Sequence, residues 1–175
     1  PHMQHLTSMW LERLFGHEGV LSLDPTDRGN WTGGRVNVGE LRGTKFGISA
    51  AAYPHIDIAR LTRDQAAAIY VRDYLGPLKV DRFSDGVGFQ FFDWAVNAGV
   101  DGATRGVQKA LGVLPDGRIG PKTLAALEAL SEPDAIKRLL AQRIRSYTNH
   151  PGWARQGRGW MNRIATNLLY GAEDS

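Results

Sequence analysis

The sequence predicts an α+β fold that is mainly α, with a small glycine-rich β-hairpin lobe and about seven helices around a buried central helix. The chain has 175 residues, of which 42% are hydrophobic and 22% charged, and this composition is typical of a globular protein with one core. Eight glycines lie between residues 16 and 47, which indicates a turn-rich lobe. Helical periodicity of apolar residues dominates the chain from residue 62 onward.

The first helix is predicted for residues 7–16, where large apolar residues recur at helical spacing before a glycine. In the lobe that follows, Asp24-Pro25 and Gly33-Gly34 are turn signals. The segment 35–38 alternates polar and apolar residues, which predicts one short strand of a hairpin. The glycines allow the backbone of this lobe to approach a ligand closely.

The remaining elements are predicted to be helices. Thr62 and Gln65 form the sequence pattern of a capping box, which begins a helix that continues through Asp73. Residues 84–98 are apolar on all sides, which indicates a buried central helix that ends before Gly99. Further helices are predicted for residues 101–111, from residue 121 onward, and for residues 135–147 and 159–170.

The composition disfavours several classes of function. The chain contains no cysteine, which excludes disulfide scaffolds, cysteine zinc sites and thiol nucleophiles. It has no apolar run long enough to span a bilayer, and no nucleotide-binding, serine-hydrolase or zinc-peptidase motif. Its five histidines are scattered along the sequence. We therefore expect neither a metal nor a cofactor, and no stable membrane insertion.

Three carboxylates are candidates for catalysis. Glu18 lies just past the first predicted helix, and a half-buried carboxyl at such a junction has a raised pKa that equips it to donate a proton. Asp24 and Asp27 follow in the lobe. Two carboxyl groups on opposite sides of a cleft are the minimum equipment for glycoside hydrolysis. Spacing alone fits equally a structural role in which the two aspartates cap turns.

A series of ordered motifs covers nearly the whole chain. In the first half these are Gly16-His17-Glu18-Gly19, Asp24-Pro25-x-Asp27-x-Gly29, Gly43-Thr44-Lys45-Phe46-Gly47-Ile48-Ser49 and the segment 66–74. In the second half they are the segments 94–99, 111–124 and 159–163. Together they resemble the glycoside hydrolase family 108 muramidases, phage-type lysozymes with a C-terminal predicted peptidoglycan-binding part. The resemblance implies a lysozyme-like fold.

The resemblance also implies a catalytic set of three residues. Glu18 matches the catalytic glutamate and would be the general acid. Asp27 matches the second acid, which acts as a base or stabilises positive charge. Thr44 matches a threonine that helps to hold the attacking water, and its hydroxyl suits this role because it can both donate and accept hydrogen bonds.

Two departures from the family pattern affect this assignment. Val20 stands where the family usually has a second glycine. The segment 28–43 is longer than in compact members of the family, and it contains Thr32. Thr32 is therefore a rival of Thr44 for positioning the water, although the Lys-Phe-Gly-Ile-Ser context that follows favours Thr44.

Three further residues are candidates for substrate binding, each with a structural alternative. Trp31 either stacks on a sugar face or fills the base of the hairpin. Asn97 either hydrogen-bonds an acetamido group or caps the end of the central helix. Tyr74 is either a contact for substrate or part of the core. The segment 115–123 belongs to the peptidoglycan-binding part of the family, yet its residues indicate a turn and a helix start.

The domain organisation follows from these motifs. Residues 1–4 are interpreted as the remnant of a cleaved tag with a short tail. Residues 5–82 would form the catalytic lobe. Residues 83–175 would form a helical, peptidoglycan-binding-like lobe, packed with the first as one globular unit.

The favoured function is that of a lysozyme, an N-acetylmuramidase that hydrolyses the β-1,4 bond between N-acetylmuramic acid and N-acetylglucosamine. The alternatives are a lytic transglycosylase and a non-catalytic module that binds the cell wall. The expected partner is the glycan strand of peptidoglycan, with no nucleic acid, and the protein is expected to be a monomer. We expect synthesis in the bacterial cytoplasm and action on the wall, as a phage or prophage endolysin, a secreted effector or a virion enzyme.

Overall fold

The computed structural model describes residues 2–18 and 20–175, without the side chains of residues 3, 4 and 16–18. Contacts divide the chain into two compact units, unit 1 (residues 1–73) and unit 2 (residues 74–175). The domain boundary between residues 82 and 83 stays a prediction. Among the described residues, seven helices of eight residues or more accompany a two-stranded sheet, so the predicted α+β, mainly α class is confirmed. No helix in this part of the chain is long and apolar enough to cross a bilayer.

Unit 1 combines two helices with a small hairpin. Its elements are α1 (His2–Glu18), β1 (Thr44–Lys45), β2 (Ile48–Ser49), α2 (Arg63–Tyr70) and two 3₁₀ turns (Arg28–Asn30 and Ile58–Arg60). The first helix is longer at both ends than the predicted residues 7–16. Its apolar face supplies the fully buried Trp10 and Leu14, and Ile48 and Ile58 are fully buried as well. Phe15 of the same helix packs against Phe46 of the hairpin, so the helix and the hairpin are in contact.

The hairpin has a tight turn that the surrounding residues stabilise. The register places Thr44 opposite Ser49 and Lys45 opposite Ile48. Phe46 and Gly47 both have positive φ, 51° and 73°, as a two-residue type I′ turn requires. This conformation is unfavourable for phenylalanine. The hydroxyl of Tyr70 donates a 2.6 Å hydrogen bond to the Phe46 carbonyl, and the ring of Phe15 lies 5.1 Å from the Phe46 ring, so both contacts hold the turn.

The predicted strand at residues 35–38 is wrong. These residues form a turn in which the amide of Val38 donates to the carbonyl of Arg35, and Asn37 has a φ of 64°. Val36 and Val38 are 43% and 41% exposed, so the alternation of polar and apolar residues does not bury one face. A strand needs such a face to be stable, and four residues beside several glycines do not provide it.

The helix predicted from Thr62 onward begins as expected and ends early. Thr62 and Gln65 form both hydrogen bonds of the capping box, which confirms the predicted start. The regular helix stops at Tyr70 and continues as a π-helical turn, Val71–Leu75. The short α3 (Gly76–Leu78) follows, with Pro77 in its first turn, where the missing N–H removes no helical hydrogen bond.

Unit 2 is a helical bundle around one buried helix. Its elements are a 3₁₀ turn (Val80–Arg82), α4 (Asp85–Ala98), α5 (Val100–Leu111), α6 (Pro121–Glu128), α7 (Glu132–Thr148) and α8 (Trp153–Asp174). Helix α4 packs against α5, α7 and α8, as its apolar sequence predicts. Gly106 allows the close approach of α5, because a Cβ there would lie 2.3 Å from the Trp94 ring. The predicted helix ends at Gly99 and Gly112 are confirmed, and both glycines have positive φ.

A buried ion cluster joins three helices of unit 2. Asp93 of α4 accepts hydrogen bonds from Arg143 of α7 (2.7 Å), from Arg163 of α8 (2.7 Å) and from Asn167 of α8 (2.6 Å). Burial alone would raise the pKa of Asp93, but the two guanidinium groups hold it below its ordinary value. The carboxylate is therefore charged and paired inside the bundle. We call these four residues the Asp93 cluster.

Candidate active site

The described part of the candidate site lies in the loop between α1 and β1. Asp27 begins the 3₁₀ turn Arg28–Asn30, and its Oδ1 accepts a 2.8 Å hydrogen bond from the amide of Gly29. The aspartate thus caps a turn, as the structural alternative predicted. Its side chain is exposed, and its Oδ2 has no hydrogen-bond partner within the part of the chain that the structure describes. One carboxylate oxygen is therefore available to a substrate or a water molecule.

Asp24 differs from Asp27 in how its carboxylate is used. The hydroxyl and the amide of Thr26 both donate to Asp24 Oδ1, at 2.7 and 2.9 Å. The hydroxyl, followed by the amide, holds the pKa of Asp24 below its ordinary value. Asp24 is thus a turn residue that keeps its negative charge and is poorly suited to donate a proton.

Asn30 is the residue around which the loop is organised, although nothing in the sequence singled it out. Its side chain is fully buried. The Nδ2 group donates to the Asp24 carbonyl (3.0 Å) and more weakly to Ser22 Oγ (3.4 Å). The Asn30 amide donates to the Asp27 carbonyl, and the Asn30 carbonyl accepts from the amides of Arg42 and Gly43. The side chain and the backbone of Asn30 together therefore connect the two ends of the loop by hydrogen bonds.

Thr44 is positioned by this same asparagine. The Thr44 hydroxyl donates a 2.7 Å hydrogen bond to Asn30 Oδ1. Its backbone exchanges two hydrogen bonds with Ser22, at 2.9 and 3.0 Å. Because the only hydroxyl hydrogen points to Asn30, the Thr44 oxygen can only accept from a further group, and a water molecule is a suitable donor. Asp27 and Thr44 are thus both connected to Asn30.

Thr32 and Trp31 are engaged within the loop itself. Thr32 Oγ1 accepts a 2.8 Å hydrogen bond from the amide of Glu40, which closes the turn that contains Gly33. The indole of Trp31 donates to the Pro25 carbonyl at 2.9 Å, and its backbone bridges to Leu41. These contacts of Trp31 agree with the alternative in which it fills the base of the hairpin. Stacking of its ring on a sugar stays a prediction.

Glu18 ends α1, and its side chain lies outside the described residues. The residue one turn earlier, Phe15, is described and packs against the rings of Phe46 (5.1 Å) and Tyr70 (6.2 Å). Phe46 follows Thr44 by two positions in the hairpin. The end of α1 and the hairpin that carries Thr44 therefore share one aromatic core.

The two remaining candidates belong to unit 2. Asn97 lies in the last turn of α4, where its Oδ1 accepts a 2.6 Å hydrogen bond from the hydroxyl of Tyr147. That hydroxyl in turn accepts from Arg143 of the Asp93 cluster at 2.8 Å. Tyr74 lies in the π-helical turn and is half-buried. Contact of either residue with substrate stays a prediction.

The described residues contain no group of three or more histidine and carboxylate side chains that could hold a metal ion. The groups described in this loop that can take part in chemistry are the Asp27 carboxylate and the Thr44 hydroxyl. An acid, a second carboxylate and an oriented hydroxyl suit the addition of water across a polar bond.

Comparison with known proteins gives two matching families. The family model described as Glycosyl hydrolase 108 matches residues 11–99, and the one described as Predicted Peptidoglycan domain matches residues 102–165. Among solved structures, that of Brucella abortus SagA is similar, with a TM-score of 0.84 and 25% sequence identity. The similarity covers 98% of this chain and 97% of the SagA chain. No curated protein matches the chain.

Proposed function

We propose a specific reaction for this chain from the premise that it belongs to glycosyl hydrolase family 108, whose model matches residues 11–99. The resemblance found in the sequence is confirmed by this match. With the peptidoglycan domain at residues 102–165, the chain is a peptidoglycan-degrading glycosidase. The finer proposal is a muramidase, which hydrolyses the β-1,4 bond between N-acetylmuramic acid and N-acetylglucosamine.

The proposed mechanism gives each of three residues one task. Glu18 donates its proton to the bridging oxygen as the bond from this oxygen to C1 of N-acetylmuramic acid breaks. Thr44 accepts a hydrogen bond from the attacking water and so fixes its orientation. The water oxygen bonds to C1, and Asp27 takes the proton that the water loses. The products are a reducing N-acetylmuramic acid end and a free N-acetylglucosamine hydroxyl.

One observation carries the choice of a hydrolase over the alternatives. The Thr44 hydroxyl donates to the buried Asn30 Oδ1 at 2.7 Å, which leaves its oxygen as an acceptor for water. A lytic transglycosylase uses no water, and a non-catalytic module needs neither a water acceptor nor an exposed carboxylate. The Asn30 contacts therefore support hydrolysis, with Asp27 on the same loop as the base.

Product analysis tests this reaction directly. We expect mass spectrometry of fragments released from purified peptidoglycan to find N-acetylmuramic acid ends that borohydride reduces. Anhydro-muramic acid ends would instead identify a lytic transglycosylase, and reducing N-acetylglucosamine ends would identify a different bond. Binding without any released fragment would mean that the chain has the fold without the activity.

A matched pair of substitutions tests which threonine holds the water. Thr44→Val should lower the rate of peptidoglycan hydrolysis by about 10- to 100-fold, because valine keeps the shape of threonine and removes the acceptor. Thr32→Val should leave the rate nearly unchanged, since the Thr32 hydroxyl serves the Glu40 amide. Initial rates of release of reducing ends measure both. A larger loss for Thr32→Val than for Thr44→Val would reverse the assignment.

The cell wall is the proposed site of action. We infer synthesis in the bacterial cytoplasm and release to the wall, where a monomer would cut glycan strands and lyse the cell. A phage or prophage endolysin fits this role, and a secreted effector or a virion enzyme would use the same chemistry.

A further inference from the structure

The loop between α5 and α6 is held in place by one buried side chain. Gln108 is 1% exposed, and its Nε2 donates to Asp116 Oδ1 and to the Arg118 carbonyl, both at 2.9 Å. Its Oε1 accepts from the amide of Gly117, also at 2.9 Å. A third contact joins Nε2 to Thr123 Oγ1 at 3.2 Å. A loop without regular structure is thus fixed from inside the protein.

A second set of contacts fixes the outer side of the same loop. Arg105 donates to the Pro115 carbonyl at 2.7 Å, and Asp116 Oδ1 accepts from the Arg118 amide at 2.9 Å. Gly117 has a φ of 80°, and a Cβ there would lie 2.7 Å from Asp101 Oδ1. The loop is therefore pre-organised, which lowers the entropy lost when a ligand binds.

This rigid loop borders a cavity of about 400 Å³ in unit 2. Its lining includes the apolar side chains of Val113, Leu114 and Pro121 and the charged side chains of Asp116, Arg118 and Lys122. Leu114 is 77% exposed, so its apolar side chain is open to a ligand at this cavity. A concave apolar surface with a few charged groups at its edge is typical of a ligand site.

The charges at the cavity favour an anionic ligand. Neither Arg118 nor Lys122 forms an ion pair with any residue that the structure describes, and both are exposed. The Asp116 carboxylate accepts from the Arg118 amide and from Gln108, and these hydrogen bonds, with a smaller effect of the Arg118 charge, lower its pKa. The cavity lining therefore carries two exposed cations and one carboxylate, whose Oδ1 the loop uses internally.

We propose that this cavity binds the stem peptide of peptidoglycan and not its glycan strand. This inference rests on the proposed function, in which the bacterial cell wall is the partner. It adds which chemical part of the wall the cavity binds. No aromatic residue lines the cavity, so its lining offers no ring on which a sugar could stack, which favours the peptide over the glycan. Stem peptides carry alanine methyl groups, which can pack against the apolar side chains of Val113 and Leu114. They also carry free carboxylates, which can pair with the cations Arg118 and Lys122.

Binding measurements on the full chain carrying Glu18→Gln test this site without cleavage of the probe. The probes are a disaccharide–tetrapeptide from peptidoglycan and the same disaccharide without its peptide, each titrated by calorimetry or by NMR. We expect the peptide-bearing probe to bind more tightly than the bare disaccharide, which has only the proposed catalytic loop to bind, and we expect this difference in affinity to fall as salt increases. Equal affinity for both probes, or binding of the bare disaccharide alone, would overturn the proposal.

Charge-matched variants locate the site. Arg118→Gln with Lys122→Gln should raise the Kd of the peptide-bearing probe by about tenfold or more. Lys137→Gln with Arg138→Gln removes the same charge from the exposed face of α7 and should leave the Kd unchanged. Equal effects of the two double variants would refute the proposed location. Hydrolysis by the unsubstituted chain is a separate measurement, so loss of the proposed activity would not be mistaken for loss of this site.

Discussion

Replacing Glu18 with glutamine is expected to lower the rate of peptidoglycan hydrolysis by about 10⁴-fold or more and to leave the fold unchanged. Glutamine has nearly the size of glutamate, but it has no proton to give to the bridging oxygen at neutral pH. The bond then has to break without an acid, which is the slow step for an unactivated sugar. Release of reducing ends, measured over hours, sets the residual rate.

The matched control for this substitution lies on the same helix. Glu12 is exposed and forms an ion pair with Arg63 of α2. Exposed pairs contribute at most about 1 kcal/mol, so Glu12→Gln should leave hydrolysis unchanged and alter the free energy of unfolding only slightly. Hydrolysis at the normal rate by the Glu18→Gln chain would remove Glu18 from the mechanism. Equal losses in both variants would indicate damage to α1 instead of loss of the acid.

Replacing Asp93 with asparagine is expected to destabilise unit 2 by about 3–5 kcal/mol. Asparagine removes the charge that pairs with the guanidinium groups of Arg143 and Arg163, and the Arg143 side chain is 1% exposed, so water cannot replace that charge. Urea unfolding and the hydrogen exchange of α4 amides measure this loss. The control is Asp101→Asn, because Asp101 forms an exposed pair with Arg105 at 2.9 Å, for which about 0.5 kcal/mol is expected.

The same cluster gives a dependence of stability on pH with a definite sign. The pKa of Asp93 is lowered in the folded state, so its stabilising effect is complete above the unfolded pKa of about 3.9 and decreases as the pH falls below it. The stability difference between the unsubstituted chain and Asp93→Asn should therefore be constant from about pH 5 to 7 and smaller at pH 2 to 3. A difference that does not change with pH would show that Asp93 is not charged in the bundle.

Elements with local sequence signals could be predicted, and elements that depend on long-range contacts could not. The capping box at Thr62 and the helix ends at Gly99 and Gly112 are encoded in a few adjacent residues, and each lies where predicted. Helix α8 begins at Trp153, before the predicted start at residue 159, and it runs through Gly157. In the structure this glycine makes room for Trp153, since a Cβ would lie 2.7 Å from its ring.

The candidate site shows the same division. The proposal of Glu18, Asp27 and Thr44 as the catalytic set could be made from motifs, because family resemblance depends on sequence order. The burial of Asn30 could not be predicted, since an asparagine among turn residues is usually exposed. Its contact with Thr44 joins residues 14 positions apart, and no local sequence pattern predicts a hydrogen bond between residues so far apart.

The Asp93 cluster also limits how this bundle can diverge in evolution. Each of the three helices supplies one charge, and the Asp93 carboxylate is shared by two arginines. Loss of Asp93 alone leaves the buried Arg143 without the charge it pairs with, whereas joint replacement by apolar side chains of similar volume can restore stability. Routes to an apolar core therefore pass through weakly folded intermediates. We expect homologous bundles that lack the aspartate at position 93 to lack the arginine at position 143 as well, with few sequences that keep Arg143 alone.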